Sequence, residues 1–424
     1  MKKKEFLSGV ISLTLSMLII QSSSMAFSVY VSGKAGAQQM GLFHLIMSVY
    51  SFAATVAISG IPLAATRLVS ELKMGRSGRN ILKKCIMLSV FFGGISLCVL
   101  FLFSHQISVH LLKNENASLP LRILALSLPF MATSAAIRGY FTGLQKVACI
   151  TAGKMTEEFS SMLITIFLMR LFGIKDNACT ILTIGITSSS VITFLCDVTM
   201  CACLNKKQRS ISEHTPLRSV FAISAPVAAG TYMRSGLTAA ENLIIPAALT
   251  KSGASNALAQ YGTIKGMAMP VITFPYVFLQ SFISLLVPEI SGRRAKQSKK
   301  SVNRAAALAL KGTLIFGMSV AVVLLVFGKR LGFSLYNDFS SGEYITALAL
   351  LAVPMYVDSV TDGLLKGLNE QVYSLKINIA DSLFRLPVIW LLLPHTGIYG
   401  YIAVMYISEL INLTMSFLRL KKIL

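Results

Sequence analysis

Residues 293–304 read RRAKQSKKSVNR and residues 305–327 read AAALALKGTLIFGMSVAVVLLVF: a basic cluster, then an apolar stretch whose one charge is Lys311. The hydrocarbon core of a bilayer hydrates neither backbone nor charge, so a crossing segment must satisfy its own hydrogen bonds. A helix of about 20 apolar residues does so. Residues 305–327 fit that description, and the basic run marks the end that stays in water. The same alternation fills the whole chain. Apolar spans occur at 6–31, 40–59, 86–103, 123–144, 147–171 and 178–204, then at 220–249, 257–287, 305–327, 344–368, 372–393 and 398–418.

Composition agrees. Hydrophobic residues make up 54% of the 424, charged residues 13%, and the mean hydropathy is +0.69. Soluble domains carry roughly 25% charged residues. The longest gap between spans, around His105 to Pro120, has room for little more than a short helix, so no soluble domain is inserted and any chemistry sits within or beside the bilayer. Span one has a basic start and small residues at Ser24 to Ala26. Its apolar stretch exceeds a signal-peptide core, so it reads as a retained helix.

A formal net charge of +22 raises the question of nucleic acid, and the distribution of charge answers it. The N-terminus and alternate loops hold Lys2 to Lys4, the clusters at 67–84, 138–154, 206–218 and 293–311, and Lys366, Lys376 and 419–422. Together these are 28 of the 39 Lys and Arg residues; the opposite loops hold eight. By the positive-inside rule both termini are cytoplasmic. The excess is a topology signal, with anionic lipid head groups as its partner and no nucleic acid. The seven cysteines form no CxxC pair and lie mostly in or at the ends of spans, as packing residues do. The histidines lack ligand spacing, so no metal site is expected, and no GxxxxGK[ST] phosphate loop occurs.

The chain repeats at half its length. Leu126-Ser127-Leu128-Pro129 recurs as Leu351-Ala352-Val353-Pro354, and Gly139-x-x-x-Gly143-Leu144 recurs as Gly363-x-x-x-Gly367-Leu368. Glu157 falls opposite Asp381 and Arg138 opposite Asp362. Pro62 with Arg67 and Glu71 matches Pro288 with Glu289, Arg293 and Arg294. Six spans per half, each half starting on the cytoplasmic side, make a parallel repeat with its pseudo-twofold axis along the membrane normal. The expected architecture is an all-α polytopic membrane protein of about twelve transmembrane helices in two six-helix lobes, residues 1–204 and 217–424, joined by a cytoplasmic linker at 205–216. Such symmetry favours alternating access.

Three stretches resemble one family: Gly36-Ala37-Gln38-Gln39-Met40-Gly41-Leu42-Phe43, the run Gly60-Ile61-Pro62-Leu63-Ala64-Ala65-Thr66-Arg67-Leu68-Val69-Ser70-Glu71, and Arg138-Gly139-Tyr140-Phe141-Thr142-Gly143-Leu144-Gln145-Lys146. They resemble the stage V sporulation protein B and polysaccharide-exporter branch of the multidrug/oligosaccharidyl-lipid/polysaccharide flippase superfamily. The resemblance implies two six-helix lobes forming a V around a central cavity, as in multidrug and toxic-compound extrusion (MATE) proteins. It also implies transfer of an undecaprenyl-pyrophosphate-linked sugar, including peptidoglycan precursor, to the outer leaflet of a bacterial cytoplasmic membrane. The branch often has fourteen spans, and related precursor flippases tend to carry arginines in spans one and two; this chain shows twelve spans and no such arginine. A monomer with membrane lipids and a polyprenyl-linked sugar as its partners is expected.

Ionisable groups in spans cost about 2.5–3.5 kcal/mol each even on the lenient insertion scale, which marks them as functional. Arg234 and Glu241 share a face of span seven, with Arg234 roughly 21 Å along the helix from Val220. A guanidinium there can grip a diphosphate with paired hydrogen bonds, or can form an internal ion pair. Lys265 on span eight is expected to pair with Glu241, with a substrate contact as its second role. Asp358 and Asp362 lie on span ten, Asn378, Asp381 and Arg385 on span eleven, and Glu409 on span twelve. Asp381, Asn378, Glu409 and Asp358 are candidates for a sodium or proton coupling site; the simpler alternative has Arg385 neutralising Asp381 or Asp358. Arg138, Glu157, Asp362 and Arg385 are read as an ion network or cytoplasmic gate. The rival function is a MATE-type cation antiporter, which favours an acidic, aromatic cavity. An embedded glycosyltransferase would need an extramembrane catalytic loop that is absent, and a scaffold role would leave the buried charges unexplained. An enzyme is not expected.

Overall fold

In a computed structural model the described residues are 3–71, 76–173, 177–206, 211–212, 217–254, 256–295 and 299–424. Nearly all are helical; the exception in type is a two-residue parallel pairing of Arg76–Ser77 with Ile211–Ser212. The linker expected at 205–216 falls largely outside the described residues.

All twelve expected spans lie on helices. Among the described residues, seven helices are long and apolar enough to cross a membrane, or eight if Ala257–Thr273 and Tyr276–Ala295, bent by 55°, form one broken span. The number falls below twelve for two physical reasons. Lys3–Ile58 and Gln371–Ile423 each run through two expected spans, interrupted at Gly36 (φ 78°) and Gly397 (φ 61°), where only glycine takes positive φ without strain. The helices Val147–Phe172 and Leu217–Lys251 carry the remaining two, interrupted by Lys154, Glu157 and Glu158, and by Arg234 and Glu241.

The chain divides into two compact units, residues 1–16 with 45–239 and residues 17–44 with 240–424. The division cuts span seven after Ala239 and gives the second unit the 17–44 portion of the first long helix.

Within the first unit, the short helix Ile61–Ser70 is wedged against Ser118–Gly143, and Ile61, Ala64, Ala65, Ile137, Tyr140 and Phe141 there are almost wholly buried. The Gly139-x-x-x-Gly143 face makes this approach possible: a Cβ on Gly139 would lie 2.7 Å from Pro62 Cα, and one on Gly143 2.7 Å from Val69 Cβ. The Thr66 hydroxyl donates to the Gly139 carbonyl at 2.9 Å. In the second unit the matching Gly363-x-x-x-Gly367 face packs on Tyr276–Ala295. A Cβ on Gly363 would lie 2.8 Å from Ile283 Cγ2, one on Gly367 3.0 Å from Ile290 Cβ, and Ser291 donates to the Gly367 carbonyl at 2.9 Å. Gly93 approaches Pro129 in the first unit, and Gly317 approaches Val353 in the second. The ion pairs Arg67–Glu71 at 2.9 Å and Arg293–Glu289 at 2.7 Å also correspond. The internal repeat is therefore a repeat of packing as well as of sequence.

Candidate functional site

Span eight is built in pieces: Ala257–Gly262, a π-helical turn Thr263–Ala268, then Met269–Thr273. Close approach of Gly262 to Gly41 presses the first piece onto span two, and a Cβ on Gly262 would lie 2.5 Å from the Gly41 nitrogen. π turns are rare and concentrate at functional sites, because the extra residue re-aims a side chain. Here the turn carries Lys265, whose Nζ lies 5.9 Å from the centre of the buried Tyr401 ring on span twelve.

Span eleven holds the electrostatic centre of the second unit. Arg385 Nη1 donates to Glu241 Oε1 at 3.2 Å, and Arg385 Nη2 lies 3.1 Å from Asp381 Oδ2. Both carboxylates are buried, at 7% and 6% side-chain exposure. The Ser408 hydroxyl donates to the other Asp381 oxygen at 2.6 Å. The expected Glu241–Lys265 pair is therefore replaced by Glu241–Arg385. A planar guanidinium offers several donors in a fixed fork and serves two carboxylates together, which an ammonium on the π turn does not. Buried paired charges of this kind are strongly destabilised if one partner is lost.

Two further acids lie close by. Asp358 lies beside Ser416 with its Oδ1 buried and without a hydrogen-bond partner, and Glu409 is within electrostatic reach of Asp358, Asp381 and Arg385. Asn378 donates from its amide to the Ser374 carbonyl at 2.9 Å. Asp362 stands apart, paired with Lys366 at 2.6 Å and accepting from the Ser374 hydroxyl.

In the first unit, Arg138 is the hub. Its Nη1 donates to Glu157 at 2.7 Å and its Nε lies 3.4 Å from Asp197, which is wholly buried. Gly153 leaves the space that Asp197 occupies: a Cβ there would lie 2.6 Å from Asp197 Oδ1. The four residues read as one gate thus separate into Arg138 with Glu157, Asp362 with Lys366, and Arg385 with Glu241 and Asp381. The i,i+4 geometry of a helix decides two of these ion pairs, Asp362–Lys366 and Asp381–Arg385. Asp197 was not among the expected residues, although it is the one charged residue within 178–204, and that isolation was its signal.

Arg234 is exposed, and its backbone carbonyl accepts from the Thr238 hydroxyl at 3.0 Å. Among the described residues, neither Arg234 nor Lys265 has a carboxylate at ion-pair distance.

Comparison with known proteins places this arrangement. A family model described as polysaccharide biosynthesis protein matches residues 6–293, more than half of the chain. The chain belongs to that family. It is 23% identical to stage V sporulation protein B of Bacillus subtilis (strain 168), over 94% of this chain and 80% of that protein. It is 18% identical to sporulation protein YkvU of the same organism, over 81% and 78%. Among solved structures, an inward-facing multidrug resistance MATE family transporter superposes with a TM-score of 0.71 at 12% identity, covering 96% of this chain and 98% of that one. A multidrug/oligosaccharidyl-lipid/polysaccharide superfamily transporter from Pyrococcus furiosus, whose reported binding pocket has reversed polarity, gives 0.70 at 16%, covering 97% and 94%. These likenesses establish the all-helical fold that those solved structures share. The polysaccharide biosynthesis family is thereby the setting of the charges above.

Proposed function

We propose that this polysaccharide biosynthesis family member is a flippase. Its substrate is an undecaprenyl-pyrophosphate-linked sugar precursor, of the kind used in sporulation-related wall synthesis, moved across a bacterial cytoplasmic membrane by alternating access. One observation carries this reading: of the basic residues Arg234, Lys265 and Arg385 in spans seven, eight and eleven, Arg385 is taken up by Glu241 and Asp381, while Arg234 and Lys265 keep no acidic partner among the described residues. An unneutralised cation in a span is costly unless water or an anion meets it, and a diphosphate is an anion that a guanidinium grips in two places. A cavity for organic cations calls for the opposite sign, so the MATE-type alternative is disfavoured by the same two residues. The head-group candidates are thus Arg234 in the first unit and Lys265 in the second, each taken by itself, with Glu241 serving to hold Arg385.

Coupling follows from counting charge. Glu241, Asp358, Asp381 and Glu409 stand against Arg385, and Arg385 engages two of the four. Asp358 and Glu409 remain without a basic partner at ion-pair distance among the described residues, and they take up the protons that drive the cycle. Asp381 and Asn378 shape the site, fixed by Arg385 and by the Ser374 carbonyl.

The test is purified protein in liposomes, assayed for leaflet transfer of a fluorescent polyprenyl-pyrophosphate-linked sugar beside extrusion of a cationic dye. Transfer of the lipid and none of the dye is expected. Dye extrusion with no lipid transfer overturns the reading in favour of the antiporter.

A further inference from the structure

At the end of the second unit that bears its basic loops, the helices Tyr276–Ala295, Lys299–Tyr336 and Ala352–Gly367 converge with the end of Gln371–Ile423 around a hollow of about 270 Å³. Among the described residues Arg294 and Lys299 are the charged side chains that line it, and Val302, Leu368, Ile423 and Leu424 supply an apolar wall. Asn303 donates from its amide to the Leu424 backbone oxygen at 3.4 Å.

The charges around this hollow are unequal. Arg293 is neutralised by Glu289 at 2.7 Å and also donates to the Ser301 hydroxyl at 2.8 Å, and Lys366 is neutralised by Asp362. Arg294 and Lys299, both exposed, have no acidic partner among the described residues. The acidic side chains Glu289 and Asp362 are thus committed to other cations, and Arg294 and Lys299 have no side-chain carboxylate at ion-pair distance among the described residues. Val302 and Leu368 beside them are 5% and 3% exposed, so the wall is formed by the packed core and is part of the fold.

We propose that this hollow binds the head group of an anionic phospholipid, with the phosphodiester between Arg294 and Lys299 and the glycerol end of the chains along Val302, Leu368 and Ile423. Size supports a head group: at about 30 Å³ per water, the hollow displaces roughly nine waters, enough for a phosphodiester and too little for a whole lipid or an oligosaccharide. Chemistry supports a lipid over free phosphate, because one wall is apolar and the hollow lies among the helix ends that bear the basic loops, where basic pockets between transmembrane helices take anionic lipids. The proposal does not depend on what the protein transports. A resident lipid there would clamp the ends of spans eight, nine, ten and twelve of this unit together.

The experiment is native mass spectrometry of the full chain in a neutral detergent, titrated with dioleoylphosphatidylglycerol, dioleoylphosphatidylcholine, or the soluble head group glycerophosphoglycerol. At roughly fivefold per basic residue near the lipid surface, the double variant Arg294→Gln/Lys299→Gln is expected to bind phosphatidylglycerol about 25-fold more weakly than wild type. The charge-preserving pair Arg294→Lys/Lys299→Arg should bind within about threefold of wild type, and the first-unit pair Lys83→Gln/Arg218→Gln, outside the hollow's lining, should match wild type. Phosphatidylcholine should not distinguish the proteins. Equal affinity of the Gln double variant and wild type for phosphatidylglycerol would overturn the site. Equal competition by glycerophosphoglycerol would show a free phosphodiester site and overturn the lipid assignment.

Discussion

Arg385 binds two buried carboxylates, so its removal strands both. Arg385→Ala is expected to destabilise the second unit by about 3 kcal/mol, at the lower end of the range for a broken buried pair because the arginine is itself partly exposed. Thermal unfolding in detergent measures it. The double variant Arg385→Ala/Glu241→Gln should recover part of the loss, since one stranded charge is gone; a strictly additive double-mutant cycle would show that Arg385 and Glu241 are not coupled. The hub of the first unit makes a parallel case. Arg138→Ala leaves wholly buried Asp197 without its cation and should cost more stability than Asp197→Asn, which leaves the 2.7 Å Arg138–Glu157 pair in place. The head-group residues behave differently. Arg234→Ala and Lys265→Ala should lower lipid transfer at least tenfold while leaving the unfolding temperature within a few degrees, because neither residue holds a carboxylate among the described residues. Full transfer in both variants would remove them from the site.

Helix packing depends on a few glycines, and their neighbours grade the cost of filling them. Gly139→Ala forces a Cβ against the Pro62 backbone, which has nowhere to go, so overpacking of about 1–3 kcal/mol is expected. Gly363→Ala in the second unit meets the Ile283 side chain instead, which can rotate, and should cost less. Gly312→Ala, with nothing within 4 Å on an exposed helix face, should be neutral or slightly stabilising. Expression level and unfolding temperature of the three variants should fall in that order, Gly139 lowest. The repeat that these glycines belong to was legible from Gly139-x-x-x-Gly143 and Gly363-x-x-x-Gly367, because small residues at four-residue spacing leave a readable pattern. What they pack against was not legible, since Pro62 lies 77 residues from Gly139 and no periodicity links them. The π turn at Thr263–Ala268 was hidden for a similar reason: it starts directly after Gly262, which packs against Gly41 far away in sequence.

For the whole molecule, transfer driven through Asp358 and Glu409 should depend on the proton gradient. A protonophore should abolish it, removal of the sodium gradient should leave it unchanged, and Asp358→Asn or Glu409→Gln should uncouple transfer from the gradient. Transfer indifferent to both gradients would sink proton coupling while leaving the flippase reading intact. Hydropathy and loop charge by themselves determined that this is a multi-pass helical protein with an internal repeat, because the exclusion of charge and bare backbone from lipid acts on every residue independently and so is written locally. They also marked costly residues, since Arg234, Lys265 and Arg385 are the basic residues that neither set of loops accounts for. Which of the three is neutralised was decided only by tertiary structure. An ion pair is fixed by a distance of a few ångströms between side chains on different helices, and 144 residues of sequence separate Arg385 from the Glu241 that holds it. The same holds for Arg138 and Asp197: the cost of burying each charge is visible in the sequence, but the partner that offsets it exists only in the fold.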